Sequence, residues 1–92
     1  MPEVKVLKFS TVWCGPCKMY DPIVNQVVEH YSNNPQVVIE KIDADQQPDL
    51  SLEYGVRSVP TTIFLKDGQQ VDKLVGAQQK NKLIEKIDSL LV

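Results

Sequence analysis

The sequence predicts an α/β fold, a mixed four-stranded sheet flanked by helices in the order β-α-β-α-β-β-α. Three observations carry it. Short apolar runs rich in β-branched residues recur at Val4–Phe9, Val37–Asp43 and Thr61–Lys66. Two longer segments, Cys14–Tyr31 and Gln78–Leu91, place their apolar residues at helical spacing. A turn dipeptide, Asp67-Gly68, joins the third apolar run to a fourth. The 92 residues suffice for one domain, expected to span 1–92, with no repeat, linker or low-complexity stretch.

In chain order, Val4-Lys5-Val6-Leu7-Lys8-Phe9 is the first strand. Helical spacing from Cys14 to Tyr31 puts Ile23, Val24, Val27, Val28 and Tyr31 on one side. Pro16 suits the first turn, where its missing N–H costs nothing, and Pro22 inside the helix predicts a kink. Asn33-Asn34-Pro35 is a loop before the second strand, Val37–Asp43. Pro48–Tyr54 reads as a short helix ended by Gly55. The third strand, Thr61–Lys66, returns through Asp67-Gly68 as Gln69–Val75, which Gly76 breaks. The last helix, Gln78–Leu91, turns Leu83, Ile84, Ile87, Leu90 and Leu91 inward. The first crossover is expected to be right-handed and parallel, the last two strands an antiparallel hairpin.

Charge and composition exclude several functions. Ten basic and twelve acidic residues give a net charge of −2, which lacks the cationic footprint of a nucleic-acid binder. The same balance gives no attraction to an anionic membrane, and no apolar run approaches the roughly 20 residues of a span. Met1–Lys5 shows no basic segment followed by an apolar one, so no signal peptide is expected. Two cysteines are too few for a secreted disulfide scaffold.

Those cysteines, Cys14 and Cys17, form a Cys-x-x-Cys at the predicted start of a helix. The first helical turn offers unbonded N–H groups and the positive end of the macrodipole, which favour a thiolate. Cys14 is then placed to attack a disulfide, and Cys17 to attack the resulting mixed disulfide. Two blander readings stay open on spacing alone. A structural disulfide would close a very small loop and constrain the unfolded chain little. A zinc site has only His30 and carboxylates to complete it, with no second cysteine pair.

The flanking residues are more specific. Trp13-Cys14-Gly15-Pro16-Cys17-Lys18 is identical to the active-site signature of thioredoxins, and the chain resembles that family along nearly its whole length. Lys18-Met19-Tyr20-Asp21-Pro22, Lys41-Ile42-Asp43-Ala44-Asp45, Tyr54-Gly55-Val56-Arg57-Ser58-Val59-Pro60-Thr61, Lys66-Asp67-Gly68 and Val75-Gly76-Ala77 match further family segments in the right order. The resemblance implies a thioredoxin-like fold, a redox-active Cys14–Cys17 disulfide without prosthetic group, and a cis proline at Pro60 facing the cysteines. Only an X-Pro bond is a ready place for a cis peptide. The backbone of Val59 would then pair with an extended substrate segment. Trp13, Gly15, Pro16, Val59, Pro60, Gly76 and Ala77 are the implied substrate surface, the small residues permitting close backbone approach.

Two departures from the family pattern stand out. Thioredoxins typically carry a further strand and helix ahead of the strand that begins here at Val4, so Val37–Asp43 is expected at a sheet edge. One sheet face is expected to be covered by little more than Pro48–Tyr54. Lys8 and Ser10 stand where the family has a buried aspartate and a tryptophan. Lys8 therefore joins Cys14 and Cys17 as a candidate catalytic residue. Three roles are open to it: a cation favouring a thiolate at Cys17, a desolvated neutral base, or a side chain that snorkels through the thinly covered face and touches neither sulfur.

The resemblance implies a cytoplasmic, monomeric reductase of protein disulfides, supplied with electrons by thioredoxin reductase. The Gly-Pro between the cysteines resembles that of reducing members of the family, which favours the reducing direction. A glutaredoxin-like or more oxidising exchanger is the nearest alternative, although no Gly-Gly pair follows the third strand. A non-redox interaction module using the same surface is the alternative from another class.

Overall fold

The computed structural model describes residues 3–91. Its elements are β1 (Val4–Ser10), α1 (Gly15–His30), β2 (Val37–Asp43), α2 (Pro48–Glu53), β3 (Thr61–Lys66), β4 (Gln69–Val75) and α3 (Lys80–Leu90). The sheet order is β2-β1-β3-β4, with β1 and β2 parallel and the other neighbours antiparallel. This is the mixed four-stranded sheet expected, and β2 forms one edge of it among the described residues.

The strands alternate their side chains across two cores. On one face Val4, Val6 and Phe64 pack with Tyr20, Val24, Val27 and Tyr31 of α1 and its cap, and with Leu83 and Ile87 of α3. On the other, Leu7, Phe9, Ile42, Ile63 and Leu65 meet Leu50, Tyr54, Val56 and Val59 around α2. Because β1 is covered on both faces, every residue from Val6 to Phe9 is buried.

Asp67 and Gly68 both take positive φ, 50° and 85°, as a two-residue hairpin turn of this hand demands. The β3–β4 register slips between Phe64 and Leu65, so Val71 lies outside the pairing and is exposed. Helix α1 runs through Pro22. Val28, expected inward, is exposed, while Tyr20 is fully buried and its hydroxyl shares a 2.7 Å hydrogen bond with that of Thr62. A buried phenol needs a partner for its hydroxyl, and β3 supplies it.

Tyr31 ties the end of α1 to α3, donating to Asp88 Oδ1 at 2.6 Å. Burial, then the hydrogen bond to Asp88 and its charge, push the Tyr31 phenol well above the ordinary tyrosine range. Burial also raises Tyr20, against a smaller opposing effect of the Thr62 hydrogen bond. The unfolded chain ionises these tyrosines near pH 10 while the fold keeps them neutral. Their contribution is thus fully present below about pH 10 and is lost as pH rises above it. Urea midpoints are expected to fall between about pH 9 and about pH 11, and Tyr31→Phe to fall less steeply. Parallel profiles for the two proteins would contradict this.

Candidate active site

The cysteines sit where β1 hands over to α1. Cys14 is the N-cap of α1, with extended backbone, and Gly15 and Pro16 form the exposed first turn. The Cys14 sulfur accepts the Cys17 N–H at 3.2 Å, satisfying one of the donors that a helix start leaves unpaired. The two sulfurs are bonded, with Cα atoms 5.2 Å apart. Both residues are buried, so attack on this disulfide comes through a small exposed part of Cys14.

Val59 lies against the pair: its carbonyl oxygen is 3.7 Å from Cys14 Sγ. The Val59–Pro60 peptide is cis, and Pro60 is buried at the start of β3. Gly76 joins this layer by donating its N–H to the Pro60 carbonyl at 2.8 Å, and Ala77 follows, exposed. Within the fold nothing crowds the glycines at 15 and 76. A Cβ built on either meets nothing within 4 Å. Gly76 is needed for its backbone, at φ +91°, while Gly15 has no such demand.

Trp13 is 69% exposed, its indole N–H fixed by Asp45 Oδ2 at 2.8 Å. A cleft of about 440 Å³ opens beside it, lined by Thr11, Trp13, Ala44, Asp45, Ser51 and the segment Val56–Val59. The Thr11 and Ser51 hydroxyls are buried there without a hydrogen-bond partner among the described residues.

Lys8 departs from one expectation. It lies not on the thinly covered face but on the α1 face, alternating with Leu7 and Phe9, which point to α2. Its stem lies among Val6, Tyr20 and Val24, and its ammonium donates to Asp21 Oδ1 at 2.9 Å and to Ser10 Oγ at 3.2 Å. The side chain is 4% exposed. Lys41, in register with Lys8 on β2, reaches the same Asp21 oxygen at 3.0 Å. The hydrogen bond from Lys8, then that from Lys41, holds the Asp21 carboxyl below the usual carboxylate range. A second open cleft, about 400 Å³, is lined by Lys8, Ser10, Thr11, Val12, Cys17, Lys18 and Asp21. Asp21 and Asp45 were not singled out from sequence. Asp21 was findable, one helical turn after Cys17 and above two in-register lysines; Asp45 depends on a loop path that the sequence pattern does not give.

No group of three or more His, Cys, Asp and Glu side chains placed to hold a metal ion occurs among the described residues. No helix among them is long and apolar enough to cross a membrane.

A family model described as thioredoxin matches residues 2–89. Thioredoxin 1 of Synechococcus elongatus is 41% identical over 86 residues, covering 94% of this chain and 78% of that protein. A thioredoxin of Staphylococcus aureus is 41% identical over 88 residues, covering 96% and 83%. Among solved structures, a mutant thioredoxin from Halobacterium salinarum matches with a TM-score of 0.87 at 37% identity, over 97% of this chain and 75% of that one. Oxidised mitochondrial thioredoxin 3 from Saccharomyces cerevisiae gives 0.85 at 35% identity, over 97% and 80%.

Proposed function

This chain belongs to the thioredoxin family and is a thiol–disulfide oxidoreductase, and from that premise we propose that it works in the reducing direction on protein disulfides, Cys14 attacking and Cys17 resolving. The observation that carries the division of labour is the cap: the Cys14 sulfur accepts the Cys17 N–H. A thiolate in that position keeps the hydrogen bond and gains from the helix start.

In the reduced protein the Cys14 thiolate attacks one sulfur of a substrate disulfide. A mixed disulfide forms, and the other substrate sulfur leaves as a thiolate that takes a proton from solvent. Cys17 then loses its proton and attacks Cys14 Sγ, forming the Cys14–Cys17 disulfide and releasing the second substrate thiol. Two electrons pass from the dithiol to the substrate. Trp13, Gly15, Pro16, Val59, Pro60, Gly76 and Ala77 form the docking surface in this reading, and Lys8 acts on the Cys17 side. The Val59 backbone beside Cys14 suits an extended substrate segment. The Cys14–Cys17 pair is the redox centre without a prosthetic group. Thioredoxin reductase regenerates the dithiol, and residues 1–92 act as one monomeric cytoplasmic domain.

Equilibration with a thiol–disulfide buffer tests the direction. A potential near about −270 mV, the value typical of thioredoxin, is expected. One at about −200 mV or above, in the glutaredoxin and isomerase range, would replace the reducing reading with an oxidising or exchange role.

A further inference from the structure

A charged cluster lies beside Cys17. Cys17, Asp21 and Asn25 follow one another at four-residue intervals along α1, so their side chains share one face of the helix. That face looks onto two lysines side by side in the sheet, Lys8 of β1 and Lys41 of β2. Two adjacent ammonium groups repel, and one of them is 4% exposed. Asp21 resolves the conflict by pairing with both, at 2.9 Å and 3.0 Å, while Asn25 Oδ1 accepts a further hydrogen bond from Lys41. Without that carboxylate the buried Lys8 ammonium would be left unpaired beside Lys41, an arrangement that buried charges do not sustain.

The charges facing Cys17 can be counted element by element. β1 supplies Lys8, β2 supplies Lys41 through Asp21, and α1 supplies Asp21 and the exposed Lys18 on the cleft wall. The cis Val59–Pro60 segment and Thr62 of β3 carry no charge. Two ammonium groups and one carboxylate leave the cluster net positive, before Lys18 is added, and of the three only Lys8 is buried. Asp21 itself is a poor acceptor for a thiol proton, because its two lysine partners stabilise its ionised form.

Resting on the dithiol reading above, we propose that Asp21 is a positioning residue for resolution: it keeps the Lys8 ammonium charged in the wall of the cleft that Cys17 shares, and that ammonium favours the Cys17 thiolate. The chemical step is unchanged. The Cys17 proton goes to solvent, the thiolate attacks Cys14 Sγ, and the substrate sulfur leaves. What the cluster changes is the fraction of Cys17 that is ionised when the mixed disulfide forms.

The test reads Cys17 ionisation directly. In full-length protein carrying Cys14→Ser, so that one thiol remains, the rate of iodoacetamide alkylation at Cys17 is followed against pH by peptide mass spectrometry. Lys8→Met removes the charge with a side chain of similar length that suits its apolar surroundings, so the fold is expected to hold. Its alkylation midpoint is expected to rise on the order of one pH unit, a roughly tenfold slower reaction at neutral pH. Asp21→Asn shifts in the same direction, and Asp21→Glu, which restores the carboxylate, shifts less. An unchanged midpoint in Lys8→Met overturns the proposal. So does a lowered one, since removing a cation that stabilises the thiolate can only raise the midpoint. Should Asp21→Asn fail to fold, Lys8→Met alone decides. No disulfide substrate enters this measurement, so its failure leaves the reductase reading standing, and a potential outside the reducing range leaves this result standing.

Discussion

Cys14→Ser is expected to abolish reduction of insulin disulfides, by about a thousandfold or more, while leaving the fold intact. Nucleophiles that act as part of a unit show losses of this order or larger. A serine hydroxyl does not ionise near neutral pH and cannot form the mixed disulfide. Cys17 does not substitute for it. Its residue is 3% exposed, and in the bonded pair it is Cys14 that faces the Val59 carbonyl and caps the helix. Turbidity from precipitating insulin chains, followed with excess dithiol as electron donor, reads the effect. Activity within tenfold of wild type would assign the first attack to another group.

Phe64→Ala is expected to be the costliest core change. Phe64 is fully buried at the centre of the larger core, packed with Val4 and Val6 of β1 beneath α1 and α3. Truncating a buried phenylalanine costs about 3–5 kcal/mol, the lost transfer energy plus the cavity left behind. A domain of this size has only about 5–14 kcal/mol in total, so this one change removes a large share of it. Thermal unfolding is expected about 12 °C or more below wild type, since each kcal/mol moves a small domain by roughly 4–8 °C. A loss under about 1 kcal/mol would mean that this core refills the space and would contradict the expectation.

Most of the architecture was legible because local signals agreed with one another. The β2, β3 and β4 boundaries follow from apolar runs ending at Asp, Gly or Pro. The parallel β1–β2 pairing follows from an intervening helix. What failed were choices among faces. Tyr20 and Val28 both fit a helical stripe, and only tertiary packing, with Thr62 waiting on β3, turns Tyr20 inward and Val28 out. Lys8 illustrates the same limit more sharply. In a strand covered on both sides, hydrophobic alternation disappears, so the pattern around Lys8 does not say which layer it enters. Strand geometry fixes only that Lys8 lies opposite Leu7 and Phe9; the packing of those two around α2 is what puts Lys8 under α1.

The cysteine pair needed no tertiary information, because spacing and helix start act over four residues. The charged group behind it did, because Asp21, Lys8 and Lys41 come from three elements. Gly76 carries a demand that the sequence pattern does not reveal, a left-handed backbone at φ +91°.

The dithiol mechanism is tested most directly by Cys17→Ser, which keeps the capped nucleophile and removes the resolving thiol. Reduced variant is mixed with a disulfide-containing protein, quenched with acid and mapped by mass spectrometry. The expected product is a one-to-one mixed disulfide on Cys14, stable until a small dithiol is added, with no turnover beyond the first attack. Sustained turnover without Cys17, or no adduct at Cys14, would contradict the assignment of attack to Cys14 and resolution to Cys17.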